Sequence, residues 1–102
     1  MDKLVKVDYI NITIEFDNYK DETEVRFIEK KEQSVIIMMS LGYAHYIEEY
    51  EMKYDKKVII YFGNMLVKDY VRLPYENKYD DIDDGIPICL FPRAKYEFFF
   101  DN

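Results

Sequence analysis

The stretch Ile10-Asn11-Ile12-Thr13-Ile14-Glu15-Phe16 alternates apolar and polar side chains without a break. Successive side chains of an extended chain point to opposite faces, so the three isoleucines and Phe16 share one face while Asn11, Thr13 and Glu15 share the other. This pattern predicts a half-buried β-strand over residues 4–16. Val5 and Val7 fall out of phase with the later set, and a bulge near Asp8 would reconcile the two halves. The polar run at residues 17–22 supplies turn chemistry. Residues 23–29, with Val25 and Phe27 on one face, predict the second strand of a hairpin.

One segment carries a different period. Tyr43, Ile47, Tyr50 and Tyr54 recur at intervals of four, three and four, which is a helical stripe. Glu48, Glu49 and Glu51 are expected on the opposite side. Val35 to Met39 is the longest fully apolar run, and Gly42 would weaken a helix continuing through it. We therefore expect a strand over 34–39 and a helix over about 41–54, ended by Asp55-Lys56-Lys57.

The remainder returns to β patterning. Residues 57–73 read as two runs around Gly63-Asn64, a favourable two-residue hairpin turn. A polar loop opens at Pro74 and runs to Gly85. Residues 86–91 predict a strand, Pro92-Arg93 a turn, and residues 95–100 a last strand. Phe98, Phe99 and Phe100 are consecutive, so both faces of that strand are apolar and both need covering. The chain reads as one α+β domain over residues 1–102. It is mainly antiparallel sheet of about five or six strands, with one α-helix packed on it.

Composition narrows the function classes. The chain has 102 residues, the size of one small domain, and 49% are hydrophobic, enough for a core. Acids outnumber bases by 21 to 14, a net charge of -7. Direct binding to a nucleic-acid backbone or to an anionic membrane surface requires the opposite sign, so both are disfavoured. A basic protein partner is compatible. Cys89 is the only cysteine, so no disulfide framework exists within the chain. No segment reads as a signal peptide and no apolar run is long enough to span a bilayer. A cytoplasmic protein is expected, in the host cytoplasm if the source is a phage.

Catalytic and metal motifs are missing from the sequence. There is no HExxH, no GxSxG and no Gly-rich phosphate loop, and the three glycines, at 42, 63 and 85, are scattered. Setting Gly85 at position 6 of a calcium loop puts Asp80 and Asp84 at positions 1 and 5. It also puts Ile82 and Phe91 where ligands are required, so the spacing fails. His45 and Cys89 read as structural rather than catalytic. The expectation is a non-enzyme with no cofactor, no catalytic residues and no metal site.

What remains is recognition. Residues 76–84 hold Glu76, Asp80, Asp81, Asp83 and Asp84, with Tyr75 and Tyr79 beside them. Glu48, Glu49 and Glu51 form a second acidic cluster near Tyr46 and Tyr50. Asp17, Asp21, Glu22 and Glu24 form a third. Carboxylates pair with Arg and Lys, while tyrosine rings provide anchor area, so such a surface suits a basic groove. In physical character the chain resembles the small acidic inhibitors that phages and mobile elements direct against host defence nucleases, of the anti-CRISPR and anti-restriction kinds. Immunity proteins against toxin nucleases share that character. The same composition is also compatible with a homo-oligomeric assembly subunit or a small metal-dependent enzyme. The residues expected to carry partner binding are those of 75–84 just named, followed by Glu48, Glu49 and Glu51.

Overall fold

The computed structural model describes residues 8–74 and 93–100. They form a seven-stranded sheet with one helix on its concave face, an α+β architecture with more strands than the sequence predicts. The strands are β1 (Tyr9–Glu15), β2 (Lys20–Lys30), β3 (Ser34–Ser40), β4 (Ile59–Phe62), β5 (Met65–Leu66), β6 (Asp69–Leu73) and β7 (Arg93–Phe99). The helix α1 (Leu41–Tyr54) follows β3. Strand order is β5-β4-β1-β2-β3-β7-β6, and every neighbouring pair is antiparallel. Among the described residues no helix is long and apolar enough to cross a membrane.

The extra strand comes from residues 64–73, which the sequence reads as one run. Val67 and Tyr70 are buried, a spacing of three that no single strand face can have. The run therefore divides at Val67-Lys68. Before the break β5 pairs with β4; after it β6 pairs with β7, at the other end of the sheet. A flat sheet of this order would hold its outer strands roughly 29 Å apart at the usual strand spacing. Three residue steps from Leu66 to Asp69 reach at most about 11 Å. The sheet must curl until its two ends meet. At the meeting point the Val67 amide donates to the Ile60 carbonyl at 2.9 Å, and the Lys68 amide to the Phe99 carbonyl at 2.7 Å.

The curl encloses the core. Ile12 and Ile14 of β1, Val25 of β2, Ile37 and Met39 of β3, Ile60 of β4, and Tyr96 and Phe98 of β7 all point inward and are buried. Each lies opposite another inward residue across its ladder: Ile10 faces Val25, Ile37 faces Tyr96, and Phe98 faces both Val35 and Tyr70. The expected alternation of β1 is borne out. Phe98 is wholly buried and Phe100 packs against the core, so only Phe99 of the three turns away.

Three local features differ from the sequence reading. The polar run at 17–22 is a turn only as far as Tyr19, and Lys20, Asp21 and Glu22 already belong to β2. The hairpin closes with the Phe16 amide donating to the Tyr19 carbonyl at 2.8 Å. The described irregularity lies in β2, where the register shifts between Phe27 and Glu29 and leaves Ile28 as the extra residue. The Asp8 carbonyl accepts from the Phe27 amide at 2.8 Å, and residues before Asp8 lie outside the described set. Finally, Arg93 opens β7 instead of ending a turn. The expected strand over 86–91 also lies outside the described residues.

Gly63 has φ +62° in the β4–β5 turn. A Cβ there would meet nothing closer than Ile10 Cδ1 at 4.0 Å. Its requirement is therefore conformational rather than steric. Gly63→Ala is expected to lower unfolding free energy by about 1–2 kcal/mol, the cost of left-handed backbone for an L-residue. Urea denaturation followed by circular dichroism checks this.

Candidate partner-binding surface

The helix begins at Leu41, as expected, and is capped by Ser40, whose Oγ accepts from the Tyr43 amide at 3.3 Å. It ends at Asp55, which is left-handed (φ 54°) and whose amide donates to the Glu51 carbonyl at 2.9 Å. Ala44 and Ile47 are its buried positions. One helical turn on from them lie Glu48 and Glu51, on the same face. Glu48 and Glu51 are therefore half-buried, which corrects the expectation that they oppose the packed stripe. Of the three only Glu49 is exposed. Tyr43 and Tyr50 flank the stripe on its other side, partly buried, and Tyr54 is exposed.

On the β6 side the acids of α1 are engaged. Glu48 Oε2 accepts from Arg72 Nη1 at 2.8 Å, and Glu51 Oε2 accepts from the Tyr70 hydroxyl. The same Tyr70 oxygen accepts from the Val58 amide at 3.1 Å. Lys57 Nζ donates to Asp69 Oδ1 at 2.5 Å and to the Tyr70 carbonyl at 2.7 Å, and lies 4.6 Å from the Tyr70 ring centre. Burial, reinforced by the Glu51 hydrogen bond, pushes the Tyr70 ionisation far above the usual phenol range. Burial also pushes the neighbouring Tyr96 up to about 12, with the Glu48 charge adding to it. The hydrogen bond from Lys57 holds the Asp69 carboxyl below its ordinary value, assisted by the Tyr70 amide. These contacts fasten the helix and the β4 entry to β6.

The third acidic cluster is divided by strand alternation. Asp21 lies opposite Ile14 on the inner face and accepts from the Tyr43 hydroxyl at 3.0 Å. Burial of Tyr43 and that hydrogen bond raise the phenol's ionisation. Glu22 and Glu24 pair with Thr13 and Asn11 and stand on the outer face.

Beside the helix, on the side away from β6, lies an aromatic groove of about 180 Å³. The 16–19 turn contributes Phe16, Asp17 and Tyr19; the helix contributes Tyr46, Tyr50 and Tyr54. Phe16 stacks on Tyr19 at 5.1 Å between ring centres and meets Tyr50 edge-on at 5.9 Å, while Tyr50 and Tyr54 lie 4.7 Å apart. The Tyr50 hydroxyl points to Asp17 Oδ1 at 3.5 Å. The helical spacing of Tyr50 and Tyr54 is visible in the sequence. Their meeting with Phe16 and Tyr19 depends on the curl and is not.

Glu76, Asp80, Asp81, Asp83, Asp84, Tyr75 and Tyr79, like Cys89, lie outside the described residues. His45 is exposed on α1. Among the described residues no group of three or more His, Cys, Asp or Glu side chains is placed to hold a metal ion. Comparison with protein-family models, with curated proteins and with solved structures finds no match to this chain.

Proposed function

We propose that this chain is a small acidic interaction domain that binds and blocks the basic, nucleic-acid-binding site of a partner such as a host defence nuclease. The observation that carries the reading is how its charges are distributed. Lys20, Lys31, Lys57 and Arg72 each lie within 3.7 Å of a carboxylate of the same chain. Those bases are engaged internally, while Glu49 remains exposed on the helix and the chain stays at -7. The acidic run at 76–84 adds the densest charge in the sequence. A surface of this sign is attracted to a basic cleft over long range, which speeds encounter and selects against nucleic acid itself as partner. Glu51, held by the neutral Tyr70 hydroxyl, would contribute through charge and Glu49 through contact, while Glu48 would first have to exchange Arg72 for a partner's base.

Substituting Asp80, Asp81, Asp83 and Asp84 together by Lys is expected to abolish capture of the partner from host-cell lysate and to leave the thermal midpoint nearly unchanged. Support requires that the captured protein handle nucleic acid, be released by high salt, and lose activity when the purified domain is added. Retained binding by the charge-reversed protein removes the assignment to residues 80–84.

Self-assembly is a second reading, carried by Ile59, Met65, Leu66 and Val71, all exposed on strands flanking the sheet closure. Light scattering distinguishes it: a stable oligomer insensitive to salt supports assembly, and a monomer removes it.

A further inference from the structure

In the groove beside the 16–19 turn Phe16 and Tyr50 pack against the core, but the other three rings gain little by being there for the fold. Tyr19 and Tyr46 are each 57% exposed and Tyr54 is 40% exposed, so burial does not explain their clustering. Exposed ring faces around a carboxylate form a receptor for a cation. The chain's own lysines already sample that chemistry. Lys56 Nζ lies 6.0 Å from the Tyr50 ring centre and 4.0 Å from Asp17, and Lys53 Nζ lies 5.3 Å from the Tyr54 ring centre. The Lys56 contacts sit at the outer limit of their kinds, and its side chain is 59% exposed, so it is free to swing away.

We propose that this groove receives an arginine side chain from a basic protein partner, displacing Lys56. A planar guanidinium stacks on a ring and pairs with a carboxylate at the same time, which an ammonium does less well. Asp17, with its side chain 47% exposed, provides the carboxylate, and Tyr50, Tyr46 and Tyr19 provide the faces. The volume of about 180 Å³ is below that of sites for drug-sized ligands and suits one side chain. The proposal rests on the reading of the chain as a binding domain, but it names residues other than those of 76–84.

The test is a titration of the full-length protein with a short peptide carrying one arginine, against the same peptide with citrulline, followed by NMR of the tyrosine rings. The arginine peptide is expected to shift the rings of Tyr19, Tyr46, Tyr50 and Tyr54 saturably, with a dissociation constant on the order of millimolar. Citrulline keeps the shape and lacks the charge, and should bind at least about tenfold more weakly. Tyr46→Ala and Asp17→Asn should each weaken arginine binding roughly three- to tenfold without moving the thermal midpoint. Equal responses to the two peptides, or shifts confined to residues outside the groove, would overturn the proposal. The Asp80, Asp81, Asp83 and Asp84 reversal should leave peptide binding intact. A saturable groove in a protein that captures no nucleic-acid-handling partner would leave this assignment standing and remove the inhibitor reading; the opposite pattern would do the reverse.

Discussion

Phe98→Ala should lower the free energy of unfolding by about 3–5 kcal/mol, while Phe99→Ala, one residue on, should lower it by about 1 kcal/mol or less. The contrast follows from which way each ring points. Phe98 is wholly buried, lies opposite Val35 on one side and Tyr70 on the other, and has the rings of Phe62 and Tyr96 around it at 6.3 and 6.4 Å. Removing it empties the place where β3, β4, β6 and β7 converge. Phe99 turns to the outer face and is half-buried. A domain of this size commonly holds only about 5–15 kcal/mol in total, so Phe98→Ala removes a large part of the margin. Urea denaturation of both variants measures the difference. Equal losses would mean that the register of β7 against β3 is wrong.

Raising the pH above about 10 should unfold the protein cooperatively, well before most proteins lacking buried phenols respond. Tyr70, Tyr96 and Tyr43 all have their ionisation raised above the ordinary 10.0 in the folded state. In the unfolded chain they release protons near pH 10, where the folded protein still holds them. The stability they represent is complete below pH 10 and is lost as pH rises through the folded values. Each delayed tyrosine can remove at most about 1.4 kcal/mol per pH unit, and Tyr43, the least buried, contributes the least. Circular dichroism and phenolate absorbance recorded together give the result: a fraction of the tyrosines should ionise only as the ellipticity collapses. Tyr96→Phe should reduce that delayed fraction. Tyr70→Phe should reduce it too, but at a cost of about 1–3 kcal/mol at neutral pH, because Glu51 and the buried Val58 amide lose their partner. Smooth ionisation of all tyrosines in a still-folded protein would contradict the Glu51–Tyr70–Val58 arrangement.

Local pattern is enough to read the elements whose environment is uniform along their length. β1 alternates because one face meets the core throughout, and the bounds of α1 are legible because the apolar run of β3 stops before Gly42 and Asp55-Lys56-Lys57 ends the helical stripe. Residues 64–73 mislead because each half is a plausible strand, while the change of partner at Val67-Lys68 shows only as a spacing of three between Val67 and Tyr70. The acids of α1 mislead for a related reason. Their helical phase puts Glu48 and Glu51 beside Ala44 and Ile47, but only the position of Arg72 and Tyr70 on β6 makes that placement tolerable for a carboxylate. The aromatic groove joins Phe16 and Tyr19 to residues about thirty positions later, and no short-range pattern encodes that meeting.

The curl also bears on how this chain avoids aggregation. An open sheet exposes two rows of unpaired amides and carbonyls, each a template on which another molecule can add a strand. Here the terminal strand at one end, β5, is only two residues long, and both ends run into the single Val67-Lys68 connection. The uncharged apolar run Val35 to Met39, of the kind that forms intermolecular β-structure, lies in β3 with β2 on one side and β7 on the other. Both of its backbone edges are thereby occupied within the molecule.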